Sequence, residues 1–198
     1  MPRPEPTYRD RLLAGALTCL REKGYARTTA RDLVAASGTN LASIGYHFGG
    51  KDALLAEAIA QCFESWTERV EQAVFGTGLA TPREMVERAM AALVDVFEEM
   101  RPLLVVCVEG FAPAMRETVL REKMAASYAR ARRAGVGMIE RACAELGIEP
   151  PFDPVVLVSV LIAISDGLLL QWLLDPAATP DSRQVVDALA ALAPLIAA

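Results

Sequence analysis

Two glycine stops, Ser37-Gly38 and Gly49-Gly50, bracket a segment with room for about two to three helical turns and no more. Glycine ends helices because it adopts positive φ at little cost. Upstream of the first stop, Thr28 and Thr29 are capping candidates, and Asp32 follows Thr29 at the third position. That spacing marks a helix start, since the hydroxyl accepts an orphan amide and the acid suits the positive helix end. Leu33, Val34 and Ala36 give this helix an apolar side. Thr39 or Asn40 then caps a second helix, Leu41 to Phe48, and Lys51 opens a third.

Two short helices joined by a glycine-containing turn make a helix-turn-helix. The second helix of such a motif enters the DNA major groove with its N-terminal residues toward the base edges. Here those residues are Asn40, Leu41, Ala42 and Ser43. Tyr46, His47 and Lys51 follow, and a phenol, an imidazole and an ammonium suit phosphate oxygens without reading sequence. The same spacing also fits an ordinary helical hairpin with a polar surface.

Beyond spacing, residues 9 to 55 resemble the DNA-binding domain of the TetR family of bacterial regulators. The likeness rests on Ala16, Leu20, Lys23-Gly24-Tyr25, Thr28-Thr29, Asp32-Leu33 and Ala36 to Asn40. Ser43 to Phe48 and Lys51 to Leu55 complete it, with Tyr-His-Phe-x-x-Lys the most specific part. The resemblance implies that Thr29, Tyr46, His47 and Lys51 sit on phosphates. Thr28, beside Thr29, joins the candidate DNA-contact set. Gly45 departs from the pattern, because the family often has a large, frequently aromatic residue there.

The expected fold is all-α. It has an N-terminal three-helix helix-turn-helix DNA-binding domain and a larger C-terminal helical domain for ligand binding and dimerisation. The chain divides into a flexible arm (1–8), the helix-turn-helix domain (9–52) and the sensing and dimerisation body (53–198). Arg3 and Arg9 in or beside the arm are possible DNA contacts. Charge follows the same division: residues 1–52 carry +3 and residues 53–198 carry −8, giving the −5 of the whole chain. A basic head on an acidic body fits local phosphate contact rather than attraction over the whole surface.

Along the chain, periodicity predicts a first helix from about Tyr8 to Lys23 and a fourth from Lys51 to Val74 or Phe75, ended by Gly76-Thr77-Gly78. Thr81-Pro82 starts a helix whose apolar side reaches Phe97. Pro102 opens a short helix, Leu103 to Phe111, which Pro113 interrupts. Arg116 to Leu146 follows, ended by Gly147 and Pro150-Pro151. Asp153-Pro154 then starts a very apolar segment, Val155 to Leu174, and a last helix runs from Ser182 to Ile196. About 20 apolar residues suffice to cross a membrane. Asp166, Gln171 and the absence of basic flanks argue for burial instead. No signal peptide is expected, because Met1 to Asp10 has no apolar core, and the location expected is cytoplasmic.

The resemblance implies that the last two long helices form a four-helix homodimer interface. Leu161, Asp166, Gly167, Leu170, Leu189 and Leu192 are its candidates. It also implies a small-molecule cavity in the central helices. Phe63, Trp66, Met90 and Phe97, with Met100, Phe111, Met124 and Tyr128, are the adaptable side chains that could line it, although such residues fill ordinary cores as well. Glu109, Arg116, Glu117 and Tyr128 are the polar groups that could orient a ligand. Operator DNA, an effector and a second copy are thus the expected partners, and repression is the expected mode.

An enzyme is not expected. The chain has one His and lacks a glycine-rich phosphate loop, G-x-S-x-G or H-E-x-x-H. Cys19, Cys62, Cys107 and Cys143 form no close pair, so neither a metal site nor any cofactor is expected. A helical adaptor that binds protein is the remaining alternative.

Overall fold

The computed structural model describes residues 6–76, 81–150 and 152–196. Arg3, Thr77-Gly78 and Pro151 lie outside the described residues. Among those described, the chain forms helices α1 (Tyr8–Lys23), α2 (Ala30–Ser37), α3 (Leu41–Phe48), α4 (Lys51–Phe75), α5 (Pro82–Val94), α6 (Phe97–Ala114), α7 (Thr118–Leu146), α8 (Pro154–Leu174) and α9 (Ser182–Ile196), and no strand. Two compact units share them. The first holds residues up to Phe63 together with Pro102–Tyr128; the second holds Glu64–Arg101 and the chain from Ala129 onward. Helices α4, α6 and α7 therefore each contribute to both.

In the first unit, α1 begins with a capping box. Thr7 Oγ1 accepts from the Asp10 amide at 3.2 Å, and Asp10 accepts from the Thr7 amide at 3.0 Å. Thr7 and Tyr8, read above as the end of a flexible arm, thus start a helix. Helix α2 has the same device, Thr29 with Asp32. It stops at Gly38, whose φ of 60° and ψ of 35° place it in the left-handed region. The orphan carbonyls at this end are satisfied from α1: the Arg11 guanidinium donates to Ser37 O at 3.1 Å and to Gly38 O at 2.6 Å. Asn40 caps α3 by accepting from the Ser43 amide at 3.0 Å.

The core beneath these helices is made of Leu12, Leu13, Ala16 and Leu20 from α1, Leu33 from α2, Ile44 from α3, and Leu54, Leu55 and Ile59 from α4. Val106, Leu120 and Met124 from α6 and α7 complete it. Charge ties the same elements. Glu57 pairs with Arg9 at 3.1 Å and with Lys123 at 2.8 Å, which holds its carboxyl below the usual range, with Lys123 the larger influence.

The second unit packs α5 against α8 and α9. Arg83 pairs with Asp187 at 2.7 Å, and Ser182 Oγ donates to Asp95 at 2.9 Å. The Trp66 indole donates to Ala92 O at 3.2 Å, and its ring meets Phe97 edge-on. Ile139 and Cys143 of α7 pack on Val158 of α8. All four cysteines are buried, and none forms a disulfide. Burial pushes the Cys62 thiol up to about 11.

Several boundaries correct the sequence reading. Pro102 does not open a helix: it lies in the second turn of α6, which begins at Phe97 and runs past Pro113. An interior proline costs about 3 kcal/mol, but Phe97, Met100, Leu104 and Val106 on the same helix are buried, and each such side chain is worth about 1.5–3 kcal/mol. The two units divide at this proline. Helix α7 starts at Thr118 rather than Arg116, because the Arg116 and Glu117 amides turn back to Pro113 O, each at 2.8 Å.

Helix α8 is the larger surprise. An all-round apolar helix is expected to be buried, yet only 22% of its most apolar window is buried within the chain. Val156, Val160, Ala163, Leu170 and Leu174 are exposed, with half-buried Gly167 among them, recurring at alternating steps of four and three. That is the period of a helix-packing stripe. By length and composition α8 could also cross a membrane.

Helices α1 and α2 meet where α1 has no side chain. A Cβ on Gly15 would stand 2.9 Å from both the amide nitrogen and the Cβ of Ser37. Gly15→Ala is therefore expected to lower stability by about 1–3 kcal/mol, the usual cost of overpacking. A urea midpoint equal to that of the parent chain would contradict this.

Candidate nucleic-acid interface

Helix α3 exists because Asn40 starts it, Gly49 ends it and Ile44 anchors it. Gly49 takes φ 79°, and its amide donates to Gly45 O at 2.9 Å. With Ile44 in the core, Leu41, Ala42, Gly45 and Tyr46 are all exposed. Tyr46 is 87% exposed and Leu41 57%. A tyrosine and a leucine this open on a short, well-anchored helix add nothing to burial in the fold, so this face is the candidate contact surface.

The phosphate candidates flank this face. The Tyr46 and His47 rings meet edge-on with centroids 4.9 Å apart. The Lys51 ammonium pairs with Asp52 at 3.2 Å and donates to Thr28 O at 3.3 Å. It is held at the start of α4 and remains partly exposed.

The two threonines differ. Thr29 is exposed at the α2 N-terminus, and its hydroxyl donates to Asp32 at 2.6 Å. Thr28 is 1% exposed, and its hydroxyl donates to Gly24 O at 2.7 Å. Thr28 is therefore a structural residue of the turn after α1, and its place among the surface candidates is corrected. Its neighbour fills the capping role that either could fill by spacing.

Asn40 and Ser43 are placed together at the start of α3, but they also bond each other. Ser43 Oγ donates to Asn40 Oδ1 at 3.1 Å. Sequence reasoning passed over two exposed arginines here, Arg27 and Arg31. Arg31 lies in the first turn of α2, where the helix dipole disfavours a cation. A basic residue at that position is the signal that could have flagged it.

Electrostatics near this surface centre on Asp32. Its carboxylate accepts from the Lys23 ammonium, the Thr29 hydroxyl and the Thr29 amide. Lys23 contributes most, and together they hold the Asp32 carboxyl well below its ordinary value of 3.8. Lys23 is raised in turn, chiefly by Asp32.

The ligand candidates fall into two sets. In the first unit, Tyr128 lies 5.7 Å from Phe63 and 6.3 Å from Phe111, and Met124 is part of the core. In the second, Trp66, Met90, Phe97 and Met100 are buried. Phe97 also lies 5.6 Å from Trp172, which the sequence reading did not include, and Arg101 covers that indole at 5.0 Å. Two proposed ligand-orienting acids face the turn after α1 instead. A Cβ on Gly24 would stand 2.6 Å from Glu109 Oε2, and the Tyr25 hydroxyl donates to Glu117 at 3.3 Å. Burial, then the Glu117 charge, push the Tyr25 phenol above its usual range. Of the interface candidates, Leu170 and Leu192 are exposed, while Leu161, Asp166, Gly167 and Leu189 are half-buried. Among the described residues, no group of His, Cys, Asp and Glu is placed to hold a metal ion.

Known proteins share this arrangement. Residues 12–58 match the family model "Bacterial regulatory proteins, tetR family". Residues 82–197, more than half of the chain, match "BetI-type transcriptional repressor, C-terminal". The biofilm operon icaADBC HTH-type negative transcriptional regulator IcaR of Staphylococcus aureus is 32% identical over 56 residues, covering 28% of this chain and 30% of IcaR. The chain spans at most 38% of the length of the first curated relatives it matches. A candidate transcriptional regulator from Pseudomonas aeruginosa PAO1 aligns with TM-score 0.72 at 25% identity, over 95% of this chain and 89% of that one. Another, from Saccharomonospora viridis and solved with choline, aligns with TM-score 0.67 at 23% identity, over 93% and 94%. The second likeness shows the fold alone.

Asp32 supplies a pH test. A carboxyl depressed in the folded state stabilises the fold above its unfolded value, and that stability is lost as pH falls toward the folded value. Thermal midpoints of the parent chain and Asp32→Asn should therefore differ at neutral pH, and the difference should start to shrink only below about pH 4 and go on shrinking as pH falls toward the depressed folded value. A difference that persists unchanged to pH 3 would contradict the assignment.

Proposed function

The chain belongs to the TetR family of transcriptional regulators, and from that premise we propose a repressor that binds duplex DNA as a homodimer and is released by a small, largely apolar molecule. The observation that carries the DNA reading is the open face of α3, a rigid two-turn helix with an 87% exposed tyrosine. Leu41, Ala42 and the Asn40–Ser43 pair face base edges in this reading. Tyr46, His47, Lys51 and Thr29 take phosphates, with Arg27 and Arg31 added to them. A twofold dimer presents two such helices, so the operator is a near-palindrome with half-sites about 34–36 Å apart or a multiple of that.

The dimer reading rests on α8. A soluble chain seldom leaves a continuous apolar stripe of this length open. A Cβ on Gly167 would meet nothing within 4 Å in its own chain. In this reading the partner's helices cover both, α9 contributes Leu189 and Leu192, and the protein is cytoplasmic. The IcaR likeness, to a negative regulator, favours repression.

The effector reading rests on the number of buried aromatic and methionine side chains in the central helices. Arg101 already covers Trp172, so that indole face favours a neutral or acidic molecule over a second cation. Effector and DNA oppose each other by their differential affinities for two states of the dimer, reciprocally, by about 1–3 kcal/mol. Helices α4, α6 and α7, shared by both compact units, are the proposed carriers.

Two measurements test this. At fixed salt, the protein should bind DNA from its own upstream region about 10³-fold more tightly than a scrambled duplex. Tyr46→Ala should weaken binding to both duplexes while changing stability by less than about 0.5 kcal/mol, as exposed sites do. Equal, weak binding to both duplexes by the parent chain would overturn the reading. Sedimentation at micromolar concentration should show a dimer, and a lone 21.3 kDa species would remove that part.

A further inference from the structure

The open face of α3 offers bases little to hydrogen-bond with. Asn40 Oδ1 accepts from both the Ser43 amide and the Ser43 hydroxyl, at 3.0 Å and 3.1 Å. Thr39 Oγ1 shares a hydrogen bond with Ser37 Oγ at 2.7 Å. The two-point recognition of adenine by asparagine uses its oxygen and its nitrogen together. Here it would require α3 to give up its cap. No arginine or glutamine lies on α3, so the usual two-point reader of guanine is missing as well.

What remains is apolar. Leu41 and Ala42 are exposed in the first turn, and Gly45 lies one turn beyond Leu41 on the same side. The fold does not require glycine at position 45. Its φ is not positive, and an added Cβ would meet nothing within 4 Å. Glycine inside a helix costs about 1 kcal/mol relative to alanine. Its lack of a side chain instead leaves open space on the exposed face of α3, beside Leu41 and Ala42.

We propose that α3 reads its half-site by methyl contact and close approach. Leu41 and Ala42 lie against the C5-methyl groups of thymines, the one apolar feature that the major groove displays. Gly45 provides the clearance that lets the α3 backbone sit deep enough for those contacts. The preferred half-site is therefore rich in A·T pairs under the first turn of α3. Tyr46 and its neighbours hold the helix on the phosphates without contributing to that choice. This deepens the DNA reading above and rests on it.

The test starts by selecting bound duplexes from a random-sequence pool with the full-length protein at fixed salt. Deoxyuridine is then placed at each enriched thymine, which removes the methyl and leaves every hydrogen-bonding group. Each methyl lost under α3 should weaken the selected duplex about fourfold, the factor for one buried carbon, with no change for a scrambled duplex. Gly45→Ala should weaken the selected duplex about tenfold or more by overpacking. Its thermal midpoint should be equal or higher, and its scrambled-duplex affinity unchanged. A selected site indifferent to both changes would overturn the methyl reading and leave the regulator reading standing. A pool that yields no preferred duplex would overturn the regulator reading itself.

Discussion

The placement of α3 depends on how closely α1 and α2 meet. Gly15 lets the C-terminus of α2 press onto α1, and Arg11 of α1 donates to the last carbonyls of α2 at that place. The turn at Gly38 follows at once, and Asn40 starts α3 two residues later. The direction of α3 is thus inherited through one glycine, one guanidinium and one left-handed residue. Only Gly38, Thr39 and Asn40 separate α2 from α3, so the turn leaves little slack between the two helices. The rest of the head supports this joint: Glu57 draws in α1 and α7 from α4, and Ile44 roots α3 in the common core.

The second unit is organised by incompleteness. Its inner side closes with Trp66, Phe97 and Trp172, and α5 lies on α8 and α9. The outer side of α8 stays apolar and bare. Hydrophobic burial drives folding, and an open stripe of this length leaves part of that drive unused within one chain. Folding and association are then linked: whatever covers α8 also stabilises the chain. In the dimer reading, operator recognition, which needs two heads, and full stability, which needs two copies of α8, come from one event.

Legibility in the sequence tracked how local the physics was. Caps and stops act within four residues, so Thr29-Asp32, Gly38, Gly49 and the Asp153-Pro154 start all stood where spacing put them. The choice between Thr28 and Thr29 was harder. Both carry hydroxyls at usable positions, and only burial, which depends on α1, separates them. Pro102 was misread because its local cost is certain, while the packing that offsets it comes from distant residues. The pocket candidates divided between the two units because methionine and aromatic spacing reports apolarity without saying which wall a side chain joins. Arg31, a proposed phosphate contact, stands out in the sequence because a cation at a helix start is locally unfavourable. Trp172 does not, because its partner Phe97 is 75 positions away in the chain.

The four buried thiols have a consequence of their own. Cys19, Cys62 and Cys107 lie in one compact unit and Cys143 in the other. Cys62 has its proton held tightly by burial. Thiolates, not thiols, react with oxidants, and reaction also needs access, so burial of these side chains slows their oxidation and exchange in the folded chain. Reagents that attack thiols would then reach these side chains chiefly as each unit opens.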